Sequence, residues 1–239
     1  MPDIEIACLQ GADTVRIRNA ERVAEGFFSL DPSSRGEGSF DAHSLTCAPD
    51  RVEPADLKAL NTTMRARTPE EYWEDLLAAG DLPHIHALQS NWDLVLMPDD
   101  QWQQQEVEAK IAAALTGTFA RGRQVSLTTK VLHLKRPRLF PVLDSLVLET
   151  LRAPIPSYLV AASRLERTLA VISHVRSEAR RLQTELEAVQ TYLGSRNPVI
   201  ERPLARILDG LLWTANPRSL TFPLIALIAN WREADQAAG

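Results

Sequence analysis

Thr128-Thr129-Lys130-Val131-Leu132-His133-Leu134-Lys135-Arg136-Pro137-Arg138-Leu139-Phe140-Pro141-Val142-Leu143-Asp144-Ser145 is the stretch on which the reading of this chain turns. Its first half has helical spacing and predicts a helix from Val125 to Lys135, stopped by Pro137, which lacks the N–H that the next turn needs. Asp144 then stands where a side-chain oxygen can accept from the first N–H groups of a new helix running to Leu151. Helix, proline stop, capped helix: that grammar places the chain among helical proteins.

The same region is a charge anomaly. From Ala109 to Leu143 there are seven basic residues, Lys110, Arg121, Arg123, Lys130, Lys135, Arg136 and Arg138, and no Asp or Glu. The chain carries 26 Lys and Arg against 31 Asp and Glu, so the rest holds 19 basic and 31 acidic residues. A basic segment inside an acidic protein points to a seat for an anion. Lys135, Arg136 and Arg138, with Arg121 and Arg123 on the same face, are the expected anion-binding residues, and Arg can supply bidentate donors to phosphate or carboxylate. Arg65 and Arg67 could extend that face. The bland alternative is that cations clustered at a helix end complement its last carbonyls.

Outward from this stretch, the pattern predicts a mainly α chain, a single domain over 1–239. Residues 1–50 read as an irregular N-terminal part with short strands at Ile4–Leu9 and Val15–Ile17 and one helix opened by Asn19. The segment 31–39 reads as a loop and Phe40–Cys47 as an extended piece. A helical body follows over 53–235. Pro54 suits a first helical turn, and Thr68-Pro69-Glu70-Glu71 has a capping residue, proline and acids in the favoured order. Asp99 or Asp100 begins a helix carrying Trp102, Val107, Ile111, Ala114 and Leu115. The longest helix is expected over 158–193 and ended by Gly194. Its apolar steps at Leu165, Leu169, Ile172, Val175, Ala179, Leu182, Leu186 and Val189 suit either core packing or a homodimer seam over 165–189. Two more helices follow, Pro203–Trp213 and Leu220–Trp231.

The longest strongly apolar run, Phe222–Ala229, is too short to span a bilayer, so no membrane association is expected. Cys8 and Cys47 cannot build a disulfide framework and read as free thiols of a cytoplasmic protein. His84 and His86, with Asp81 nearby, are two residues apart and have no evident third ligand. No metal and no cofactor is therefore expected.

Two resemblances add to this reading. The Thr-Lys-x-Leu-His-x-Lys-Arg-Pro-x-Leu-x-Pro-Val-x-Asp-Ser run resembles the signature of a bacterial, mainly actinobacterial, family of uncharacterised proteins. Gly38-Ser39-Phe40-Asp41, the Asp56-Leu57 helix start and Leu204–Trp213 fit it as well. Leu139–Val147 also resembles the segment around the catalytic aspartate of helix-hairpin-helix DNA glycosylases. That likeness implies Asp144 as the carboxylate that stabilises positive charge on a deoxyribose, with Lys130 near it as nucleophile or phosphate contact. The glycine-rich hairpin of those enzymes has no counterpart here, because no glycine lies between Gly122 and Gly194.

The expectation is a protein that binds an anionic partner, nucleic acid foremost, through residues 121–138. Any catalysis would fall to Lys130, His133 and Asp144. A non-catalytic alternative uses the same residues as a buried polar network that locks helices together, and a Lys130–Asp144 ion pair would be one form of it. The two readings differ in whether these side chains meet a cleft or each other.

Overall fold

Alternation sets the first two elements. In the computed structural model, which describes residues 3–28, 37–62, 74, 77–78, 80–82, 84–118, 125–155, 160–196 and 202–221, Ile4–Ala7 (β1) and Thr14–Ile17 (β2) pair antiparallel. Ile4 faces Ile17 and Ile6 faces Val15, and Ile4, Ile6 and Ile17 are buried on one face. This ribbon is tied to a distant helix: Ala7 N–H donates to Glu178 Oε2 at 2.8 Å, and His174 Nε2 lies 2.7 Å from the Ala7 carbonyl.

Everything else with regular structure is helical: α1 Ala20–Phe28, α2 Glu37–Ser44, α3 Pro54–Thr62, α4 Asp99–Gln104, α5 Val107–Thr118, α6 Val125–Lys135, α7 Ser145–Thr150, α8 Ala161–Arg181, α9 Gln183–Arg196 and α10 Leu204–Ala215, with short 3-10 turns at Ile85–Ala87 and Pro217–Thr221. The chain is thus mainly helical with a small two-stranded N-terminal sheet. One continuous apolar cluster runs from Ile4 to Leu212.

Two helices organise the core. α10 packs against α1, α7, α8, α9 and β2. Its approach to α1 is so close that a Cβ on Gly210 would fall 2.7 Å from the Phe27 ring, so a side chain there would force the two helices apart. α6 packs against α2, α3 and α5 and is buried on every side, Lys130 and Lys135 included. A helix buried all round must satisfy its polar side chains inside the protein, and that requirement builds the site.

The helix end at Pro137 and the Asp144 cap stand as expected: Asp144 Oδ1 accepts from Leu146 N–H at 2.9 Å and Val147 N–H at 3.0 Å. Four expectations are corrected. The Phe40–Cys47 piece is helical to Ser44 and then a turn, not extended, and α2 already begins at Glu37, inside the expected loop. The helix expected from Asp99 onward is two helices, because Glu106 takes a left-handed φ of 50° and Lys110 Nζ donates to the Gln105 carbonyl freed there. The long helix is likewise two, divided at Leu182, whose φ of −100° and ψ of 17° leave helical geometry. Finally, Gly194 does not end it, since α9 runs on to Arg196. The helix starts at Thr68 and Leu220–Trp231, with Arg65, Arg67, Arg121 and Arg123, lie wholly or mostly outside the described residues. Among the described residues no helix is long and apolar enough to cross a membrane.

Candidate functional site

The joint between α6 and α7 shows how the signature works. Residues Phe140 to Leu143 lie between the two helices: Phe140 N–H still bonds the Arg136 carbonyl at 3.1 Å, while the Phe140 carbonyl and the N–H groups of Val142 and Leu143 find side chains. His133 Nδ1–H donates to the Phe140 carbonyl at 2.6 Å. Val142 N–H donates to Asp209 Oδ2 at 2.9 Å, and Leu143 N–H to Thr129 Oγ1 at 3.1 Å. Two side chains of α6 and one of α10 therefore fix the backbone that delivers Asp144 to its capping position.

Arg206 is the hub beside this joint. Its Nε donates to Asp41 Oδ1 at 2.8 Å and its Nη1 to Asp209 Oδ1 at 2.5 Å, all three residues being buried. Arg202 Nε stands 3.5 Å from Asp41 Oδ2. The rings of Phe27, Phe28 and Phe40 surround the Arg206 guanidinium at 5.3–6.0 Å. Burial raises the Asp209 carboxyl to about 7 against the pull of Arg206, and burial with the Arg206 charge lowers the His133 imidazole to about 4. His133 is therefore neutral at pH 7. With its proton on Nδ1 held by Phe140, its Nε2 is an acceptor, and no described residue donates to it.

Two recesses open near this network. One, of about 60 Å³, is lined by Asp41, Ser44, Leu45, His133, Pro137, Arg138, Arg202 and Pro203. At about 10–15 Å³ per water this holds about four waters, or the polar end of a ligand. Asp41 Oδ2 is sealed from solvent, with the Arg202 guanidinium 3.5 Å away. The other, of about 20 Å³, is room for about one water and is lined by Lys130, Asp144, Arg206 and Asp209 with Phe27, Val142, Val147 and Trp213.

The expected catalytic trio is thus split. Lys130 and Asp144 share the smaller recess, while His133 lines the larger one. The Lys130–Asp144 ion pair that was one expectation is not found among the described residues, where Asp144 Oδ1 accepts from backbone N–H groups.

The expected anion-binding residues divide as well. Lys135, with a side chain 0% exposed, is held by Asp56 at 2.6 Å. Arg136 donates to the carbonyls of Pro49, Ile85, Leu88 and Lys135, so it sews the 49–50 and 85–88 turns to the end of α6. Arg138 is the partly exposed member, 3.6 Å from Asp93 and at the rim of the larger recess. Arg121 and Arg123 lie outside the described residues. Sequence reasoning missed Arg202, Arg206, Asp209 and Asp41 as site residues. Their signal was present: two arginines and an aspartate on the largely apolar segment from Arg202 to Trp213 demand buried partners.

Residues 20–216 match the model of a family of unknown function, DUF6308, and the chain belongs to that family. No curated protein and no solved structure matches the chain.

Proposed function

We propose that this protein binds an anionic partner, nucleic acid as the leading class, with the contact made at the larger recess and not by Lys135 and Arg136. The supporting observation is the acceptor His133 Nε2, to which no described residue donates, in a recess also lined by the partly exposed Arg138. Acceptors call for N–H or O–H donors on the ligand, and guanidinium groups call for an anion. A nucleotide unit offers both, a donor edge on the base and a phosphate beside it. The recess takes only the polar end of such a unit, so the rest of the strand lies across the surface marked by Leu45 and Arg138.

The test is anisotropy of labelled single- and double-stranded DNA and RNA at about 50 and 200 mM salt, with Arg138→Ala and His133→Gln beside the wild type. Binding that weakens with salt, and by at least about fivefold in Arg138→Ala (about 1 kcal/mol), supports the reading. No binding by folded wild-type protein at the lower salt refutes it. Lys130 and Asp144 enter through the same assay. If nucleic acid binds, base excision is measured with Lys130→Ala and Asp144→Asn, Asp144 acting through Oδ2 on developing positive charge.

A second reading is favoured by a specific observation. Lys135, Arg136, Arg206 and Asp209 all have buried internal partners, as a helix-locking polar network requires. In that reading the signature maintains the fold, and Arg138→Ala and His133→Gln alter stability at most.

A further inference from the structure

The end of α2 and the start of α3 bring together a third group that the proposed nucleic-acid contact does not use. One ring nitrogen of His43, Sγ of Cys47 and a carboxylate oxygen of Asp56 all lie within 4.8 Å of one another. We propose that these three residues form a binding site for a zinc-class divalent cation.

The geometry comes from local structure. His43 and Cys47 are four residues apart, and Cys47 N–H donates to the His43 carbonyl at 3.0 Å, so the helical turn continues and both side chains share a face. Asp56 stands in the first turn of α3 and is oriented before any metal arrives. Its Oδ2 accepts from Lys135 Nζ at 2.6 Å and from Glu53 N–H at 2.7 Å. Its Oδ1 is turned toward His43, 2.7 Å from Nε2. Lys135 and the Glu53 amide thus play the part that outer-shell donors play around a ligating carboxylate: they fix one oxygen and aim the other.

The thiol distinguishes this cluster from an ordinary buried His–Asp–Lys network. The His43–Asp56–Lys135 network is complete without Cys47, whose thiol donates to the carbonyls of Leu134 at 3.3 Å and Ser44 at 3.7 Å and lies beside Lys135. A sulfur, an imidazole nitrogen and a carboxylate oxygen are the donor set of zinc and cobalt, not of magnesium or calcium, which take oxygen alone. Bonds of about 2.0–2.3 Å in a tetrahedral site put ligand atoms about 3.5 Å apart. From within 4.8 Å, no separation need close by more than about 1.3 Å, and the His43–Asp56 pair at 2.7 Å opens by about 0.8 Å, both within reach of χ rotation at the partly exposed His43 and Cys47. That exposure also leaves the fourth position to water. On binding, the Cys47 thiol releases its proton to solvent, its thiolate and the Asp56 carboxylate balance the two charges of the ion, and His43 binds as neutral imidazole. The positive charge of Lys135 stays where it was.

The experiment is titration of EDTA-treated full-length protein with cobalt(II), then competition with zinc(II). The expected result is one cobalt per chain with a thiolate-to-cobalt charge-transfer band and the visible bands of four-coordination, both erased by stoichiometric zinc. Cys47→Ser removes the charge-transfer band, His43→Gln weakens cobalt binding at least tenfold, and Cys8→Ser changes neither. Absence of the band in folded wild-type protein overturns the proposal, as does a band that survives Cys47→Ser. The wild-type spectrum decides the matter even if a variant folds poorly. None of the three ligands lines the recess, although Ser44 and Leu45 of its wall lie between two of them, and the cobalt spectrum is read without nucleic acid, so failure here and failure of the anisotropy assay are separate results.

Discussion

Lys135→Met tests whether the basic signature is internal structure. Lys135 and Asp56 meet at 2.6 Å with side chains 0% and 1% exposed, so solvent screens neither charge. Methionine keeps most of the stem volume but leaves Asp56 as a buried carboxylate with only His43 and the Glu53 amide as partners. Removing one half of such a pair costs about 3–5 kcal/mol, whereas an exposed pair contributes about 0–1 kcal/mol. For a chain of this size each kcal/mol moves Tm by about 2–4 °C, so the expected fall is roughly 6–20 °C. Lys135→Met with Asp56→Asn removes the stranded charge while keeping a carboxamide acceptor for Glu53 N–H, and should regain about half of the loss or more. Calorimetry and urea denaturation in EDTA read both. A single variant within about 2 °C of wild type refutes the argument. Lys135 would then be accessible, and would return as a ligand cation.

Titration gives the second prediction. Asp209 titrates at about 7 in the fold against an ordinary 3.8, so the folded state holds a proton that the unfolded chain has shed, and stability falls as pH rises through that window. His133 titrates at about 4 against 6.5, so the unfolded chain holds the extra proton, and stability rises with pH from about 4 to 6.5. Each slope is about 1.4 kcal/mol per pH unit and they oppose, so these two groups leave wild-type stability nearly flat there. His133→Gln should then lose stability with rising pH and Asp209→Asn should gain it; urea midpoints that run parallel to wild type would count against both. Arg206→Met strands Asp41 and Asp209 together and should cost at least about 3–5 kcal/mol, with partial recovery in Asp41→Asn, both read by denaturant unfolding. Asp144→Ala loses two capping bonds and about 1 kcal/mol, while Asp144→Asn keeps the acceptor and stays within a few tenths of wild type. A large loss in Asp144→Asn would show that the charge, not the cap, holds the joint.

What was legible in the sequence is what local chemistry decides. Pro137 ends a helix and Asp144 opens one without help from distant residues, and alternation at Ile4, Ile6 and Ile17 marks a ribbon face. Where tertiary packing overrides local preference, the reading failed. The small polar residues around Phe40 look extended, yet α2 forms because Phe40 and Asp41 are needed in the core beside α6 and Arg206. Apolar spacing runs unbroken through Leu182, so that break leaves no trace in the pattern, while the break at Gln105–Glu106 shows only as a five-residue step from Trp102 to Val107.

The site was misjudged for a related reason. A segment without acids is a statement about neighbours in sequence, and electrostatics acts between neighbours in space. The carboxylates that answer the basic residues come from far along the chain: Asp56 reaches Lys135 across 79 positions, and Asp41 reaches Arg206 across 165. Arg136 needs no acid at all, because the open ends of two turns supply carbonyls. Among the described members of that segment, Lys135 and Arg138 thus have carboxylates beside them in the fold, and Arg136 has carbonyls. What the larger recess offers a partner is an imidazole nitrogen to which no described residue donates and the partly exposed Arg138 in its wall. A search for ligands belongs at those groups, since a buried charge that already has its partner gains nothing from a second.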